Sequence, residues 1–188
     1  MSPNDQDGED AVEAARAQLL KHWVKPSPPP GERGGCWIYS FRLMKRLCLV
    51  EPQPKNLEYV GFHQGIKEGV DMGVHFAVQD ATTVYDQALR ITSVPEATRF
   101  DKSEYYKHMV PKHTKLFTLN PAQFAVFVQV TLVLQQLTSP TPITLGVALG
   151  AMCRVSKLWD KGRRRESVQA REVRIVETVT GVSVKRIN

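Results

Sequence analysis

The sequence predicts an α+β fold: a buried helical hairpin packed with a small, mainly antiparallel sheet, plus an N-terminal helical arm. Three observations predict it. Val70, Met72, Val74, Phe76 and Val78 alternate with polar or small residues, the period-two signature of a strand. No charged residue stands anywhere from 116 to 153, so two apolar stretches there read as interior helices. Asn120-Pro121-Ala122-Gln123 opens the first of them with an N-cap, a proline at the first helical position and a Gln three residues after the cap.

The arm comes first. Residues 1–14 hold Asp5, Asp7, Glu9, Asp10 and Glu13 and no base. From Asp10, a suitable N-cap with Glu13 at the capping-box position, Val12, Ala15, Leu19 and Trp23 line one helical face. Lys25–Gly35 reads KPSPPPGERGG, a linker of polyproline character. Residues 1–35 are therefore expected to form an acidic flexible arm, and 36–188 a single globular α+β domain with a basic C-terminal hairpin.

Within that domain, Cys36 to Leu49 reads as a helix with Trp37, Phe41, Met44 and Cys48 on one stripe and Arg42, Lys45 and Arg46 away from it. Glu51-Pro52-Gln53-Pro54 ends it, because a residue before proline avoids helical geometry. Leu57 to Phe62 pairs with the strand Val70 to Val78 across His63 to Gly69, where glycines mark turns. Thr82 to Ser93 reads as a short helix running into an extended Leu89 to Thr92. Asp101 to Met109 is a capped helix and His113 to Leu119 a strand. The apolar helix Pro121 to Leu137 breaks at Thr138 to Pro142. A second apolar segment, Ile143 to Cys153, continues to about Gly162. Val168 to Asn188 reads as a β-hairpin turning at Thr180-Gly181, with Arg171, Arg174, Lys185 and Arg186 on its rims. A membrane hairpin is disfavoured: the first apolar helix carries Gln123, Gln129, Gln135 and Gln136, and the second run falls short of the ~20 residues a span needs.

Charge is the main functional signal. The formal net charge is +6 over 188 residues, and it concentrates after the uncharged stretch. Arg154, Lys157, Lys161, Arg163, Arg164 and Arg165 cluster around Trp159. Guanidinium forks suit phosphate oxygens, and an exposed indole stacks on a base. Arg42, Lys45 and Arg46 extend this patch if the two helices are neighbours. The expected partner is RNA or another polyanion, with an anionic membrane surface as the alternative. Homo-oligomers are expected through the arm or the apolar segment 116–153. This general design is similar to that of viral nucleocapsid, coat and matrix proteins, by analogy of organisation alone.

No phosphate-binding glycine loop is present and the five histidines form no H-x-x-x-H pair, so no nucleotide cofactor or metal is expected. Cys36, Cys48 and Cys153 lack the spacing of a zinc site. Their odd number points to a reducing compartment, cytoplasm or nucleus. The acidic N-terminus has no apolar run of the secretory kind.

One enzymatic alternative stands beside the binding reading. Gly34-Gly35-Cys36-Trp37 starts a helix, where the helix terminus favours a thiolate. It resembles the Gly-x-Cys-Trp stretch around the nucleophile of papain-like cysteine proteases. The resemblance covers four residues and implies Cys36 as nucleophile with His75, on the best strand, as its base. Against it, the Cys36–His75 spacing is short for that family, and no orienting Asn or Asp follows.

Overall fold

The computed structural model describes residues 35–67, 70–71, 73–86, 99–112, 114–161 and 166–184. The arm helix from Asp10, the extended Leu89 to Thr92, Arg163 to Arg165, and Lys185 and Arg186 lie outside them. The fold is α+β, with helices packed against a five-stranded antiparallel sheet. Chain order is α1 (Gly35–Leu47), β1 (Glu58–His63), β2 (Ile66–Lys67), β3 (Val70–Asp71), β4 (Val74–Gln79), β5 (Thr83–Tyr85), β6 (Arg99–Asp101), α2 (Lys102–Met109), β7 (Phe117–Leu119), α3 (Pro121–Thr138), α4 (Leu145–Asp160) and α5 (Val168–Thr180). The sheet order is β6-β5-β4-β1-β7, and β2 and β3 form a separate two-stranded ribbon.

The chain divides into two compact units, Met1–Tyr59 with Phe76–Lys112, and Val60–His75 with His113–Asn188. In the first, α1 buries Ser40, Leu43, Met44 and Leu47, leaving Arg42, Lys45 and Arg46 exposed. The Ser40 hydroxyl donates to the Phe76 carbonyl at 2.8 Å, tying helix to strand. The Trp37 ring lies 5.1 Å from Phe41 and 5.1 Å from Phe76, and Tyr59 stacks on Phe76 at 5.7 Å. Such pairs add about 0.5–1.5 kcal/mol each beyond the area they bury. The register Val78↔Tyr85 sets β5 against β4, and Val84↔Phe100 sets β6 against β5.

Two readings are corrected in this region. Thr83–Tyr85 is a strand, not the start of a helix. The Asp80 carboxylate accepts from the backbone N–H of Thr82 and Thr83, both at 3.0 Å, and so turns the chain back to pair with β4. The alternation from Val70 to Val78 is also not one strand. Gly73 sits at φ +70°, where glycine is at ease, and its carbonyl accepts from Gln64 N–H at 2.8 Å. The segment thus splits into β3 and β4.

In the second unit α3, α4 and α5 pack on one another, with β7 against α3 and α4. The expected capping box is complete: Asn120 Oδ1 accepts from Gln123 N–H at 3.0 Å while Asn120 N–H donates to Gln123 Oε1 at 2.9 Å. Phe124, Val126, Phe127, Val130 and Thr131 bury one broad face of α3. Gln135 closes the hairpin loop by donating to the Thr141 carbonyl and accepting from Ile143 N–H, each at 3.2 Å. Thr144 then caps α4 by accepting from Val147 N–H. Among the described residues no helix is long and apolar enough to cross a membrane.

The C-terminal β-hairpin is overturned. Val168–Thr180 is the helix α5, capped by Ser167, whose hydroxyl accepts from Ala170 N–H at 3.2 Å. Thr180-Gly181 is its end: Gly181 takes φ +72° and its N–H donates to the Glu177 carbonyl, a left-handed C-cap. Arg171 and Ile175, one helical turn apart, are buried beside Val176, where a hairpin would have placed Arg171 on a rim.

Candidate nucleic-acid interface

The predicted basic stripe forms on α4. At about 100° per residue, Ala148, Ala151, Met152, Val155 and Trp159 fall on the buried side. The exposed positions Arg154 and Lys157 fall on the other. Lys161, also exposed, is the C-cap. Lys157 and Lys161 sit at the negative end of the helix dipole, which stabilises them there. Arg163, Arg164 and Arg165 follow outside the described residues.

Two further arginines of this region serve the fold. The Arg174 guanidinium donates to Glu166, from Nε at 3.0 Å and from an η nitrogen at 2.7 Å, and that nitrogen also donates to the carbonyls of Leu158 at 3.2 Å and Lys161 at 2.7 Å. It satisfies carbonyls at the end of α4 that have no intrahelical partner. It also holds both residues that flank 162–165. The hydrogen bond from Arg174 keeps the Glu166 carboxyl below the usual carboxylate range, and the same bond raises Arg174. Arg171 is buried with its guanidinium carbon 5.3 Å from the Trp159 ring centroid, a cation–π contact. Sequence reasoning missed both roles. The available signal was Ser167 as an N-cap, which places Arg171 and Arg174 three apart on one helical face.

Trp159 corrects another expectation. It is 8% exposed and covered by Arg171, so no free face remains for a base. Stacking on Trp159 is thereby removed, leaving Arg154, Lys157 and Lys161 as the exposed bases of this helix.

Arg42, Lys45 and Arg46 are exposed on α1 and belong to the first unit, while α4 belongs to the second. Cys36 is half-buried in the first turn of α1, and its charge adds to the burial that pushes the Tyr59 phenol far up. His75 belongs to the second unit, its ring 5.6 Å from Phe62. Among the described residues, no three His, Cys, Asp or Glu side chains group to hold a metal ion.

The first unit carries a second polar constellation. Tyr85 OH donates to Asp80 Oδ2 and Tyr105 OH to Asp86 Oδ2, both at 2.7 Å. Tyr106 OH donates to Gln79 Oε1, and Gln79 Nε2 donates to Glu58 Oε2 at 2.6 Å. Asp80, Asp86 and Gln79 are buried, and each of these bonds ties a strand or its flank to a neighbouring element. Burial pushes the Tyr105 phenol far above its ordinary range, with the Asp86 charge adding. Tyr106 is raised by burial and then by Glu58. These groups hold protons tightly and are ties within the fold.

An α+β protein with exposed bases on α1 and on α4 is the class these observations define. No known protein family, curated protein or solved structure matches the chain.

Proposed function

We propose that this protein is a non-enzymatic, self-associating structural protein that binds RNA through its phosphates, without base readout. The observation that carries the reading is the division of labour among the bases of the second unit. Arg171 and Arg174 are committed to the fold, whereas Arg154, Lys157 and Lys161 point one exposed, basic arc of α4 at solvent. Buried Trp159 favours backbone contact over stacking. Self-association is supported by the exposed face of α3, where Ala122, Ala125, Gln129, Leu132 and Gln136 carry no charge, and by Leu132 and Leu137, exposed at 60% and 59%. Uncharged apolar surface of this kind marks association faces.

Binding to single-stranded RNA, followed by fluorescence anisotropy over a salt series, tests the reading. Each phosphate neutralised contributes about −0.7 to the slope of log affinity against log salt. Replacing Arg154, Lys157 and Lys161 together by Ala is therefore expected to flatten the slope by about 2. An unchanged slope, or no binding at low salt by the unaltered chain, rejects the proposal.

A further inference from the structure

α3 differs from every other described helix in its charge. None of its 18 residues is charged, whereas α1, α2, α4 and α5 all carry charged side chains. Up to Gln136 its exposed residues are Ala122, Ala125, Gln129, Leu132 and Gln136. They recur at steps of three, four, three and four, the spacing of a coiled-coil seam. This narrow stripe faces away from the buried Phe124, Phe127, Val130 and Thr131. The last turn adds exposed Leu137 and Thr138. A solvated helix face is ordinarily polar and charged. This one is uncharged, with small side chains at its start and long ones at its end.

That order makes the stripe complementary to itself. Lay a second α3 antiparallel to the first, centred on Gln129. Ala122 then meets Gln136 of the other copy, Ala125 meets Leu132, and Gln129 meets its own copy. Each small side chain faces a long one, so the two helices approach evenly along the seam. On a two-fold axis a residue meets itself. A charge placed there would repel its copy, but a carboxamide holds both donor and acceptor and can bond its copy reciprocally. A polar residue within an otherwise apolar seam also fixes register.

We infer that two copies of this chain pair through α3, antiparallel about a two-fold axis at Gln129. The inference rests on the self-association reading above and names its surface and geometry. The pattern selects a second copy as the occupant, because its small-to-large order inverts about its own centre and it opposes no like charges.

Cysteine substitution in the full-length chain tests the geometry. Under mild oxidation, Gln129→Cys is expected to link position 129 to position 129. Mass spectrometry of the linked peptides separates this bond from any made by Cys36, Cys48 or Cys153. Ala122→Cys and Gln136→Cys are each expected to give no self-link at the new position, and to link to each other when the two chains are mixed. Gln129→Lys and Gln129→Glu test the energetics by setting like charges on the axis. Position 129 is exposed, and unchanged circular dichroism verifies the fold. One helix pair is a small interface, so mass is followed by light scattering over a concentration series. The unaltered chain is expected to rise above the monomer mass of 21.2 kDa. Each charged chain alone is expected to associate ~30-fold more weakly or worse, and their equimolar mixture to recover association. An unaltered chain that stays at 21.2 kDa throughout rejects the self-association reading and this pairing with it. Association undiminished by Gln129→Lys, or a 136–136 link in place of 129–129, overturns the pairing alone and assigns self-association to another surface.

Discussion

The two units solve the problem of polar side chains in opposite ways. The first takes them inside: Ser40, Gln79, Asp80 and Asp86 are buried, and phenols or backbone groups meet them. The second leaves its interior almost wholly apolar, with Thr131 and Arg171 as its buried polar side chains among the described residues. Thr131 answers its own burial by donating to the Val128 carbonyl at 2.8 Å. Directional bonds specify short strands and turns, which bury too little area to fix their own register. Three helices packed on one another need no such specification, because area suffices. The second unit's remaining bases are thereby free to face outward.

The contrast breaks first in the second unit's core. Phe127→Ala removes a fully buried ring from α3 and is expected to cost about 3–5 kcal/mol, read as a shift in the urea midpoint. A loss below ~1 kcal/mol would contradict a core held by area. In the first unit the smaller change Tyr105→Phe keeps the ring and deletes its bond to the buried Asp86. Its expected cost is about 1–3 kcal/mol, because a buried acceptor loses a donor; no change would show the bond to be incidental.

Alkaline titration sharpens the comparison further. Tyr59, Tyr105 and Tyr106, all in the first unit, are raised chiefly by burial. A phenol whose folded value exceeds its unfolded value of about 10 stabilises the fold fully below that pH, and the stability falls as pH rises toward the folded value. These three are expected to ionise only as the unit opens, so tyrosinate absorbance and loss of circular dichroism should rise together. Smooth ionisation of all five tyrosines in a folded protein would contradict it.

The smallest effect belongs to Glu166. Its carboxyl is lowered by the hydrogen bond from Arg174. The contact therefore stabilises above the ordinary carboxylate value of about 4.3 and is lost as pH falls through the lower folded value. Faster amide exchange confined to the end of α4 at acid pH is the expected sign, and Arg174→Ala should reproduce it at neutral pH.

What the residues announced depended on whether a local rule met a competing one. Asn120, Pro121 and Gln123 specify a helix start by chemistry internal to four residues, and the bonds form as read. Asp101 likewise caps α2 through Ser103 and Glu104. The α+β class and the helical pair α3–α4 follow from such signals. Val173, Ile175 and Val179 alternate like a strand, yet Arg171 and Ile175 stand one helical turn apart and are buried together with Val176. β-branched residues there mimicked a preference that packing against α3 and α4 overrode. The candidate site was half legible. Helical spacing separated Arg154 and Lys157 from Val155 and Trp159, but it could not tell a solvent-facing arginine from one that caps a neighbouring helix. That distinction depends on tertiary neighbours, as Arg174 shows.

The burial of Trp159 under Arg171 has an optical consequence. Trp37 emits from an aromatic cluster in the first unit, and Trp159 emits beside a guanidinium in the second. With Trp23 changed to Phe, the two remaining indoles give one signal per unit. Each unit's melting then becomes visible by its own colour and lifetime, without any attached dye.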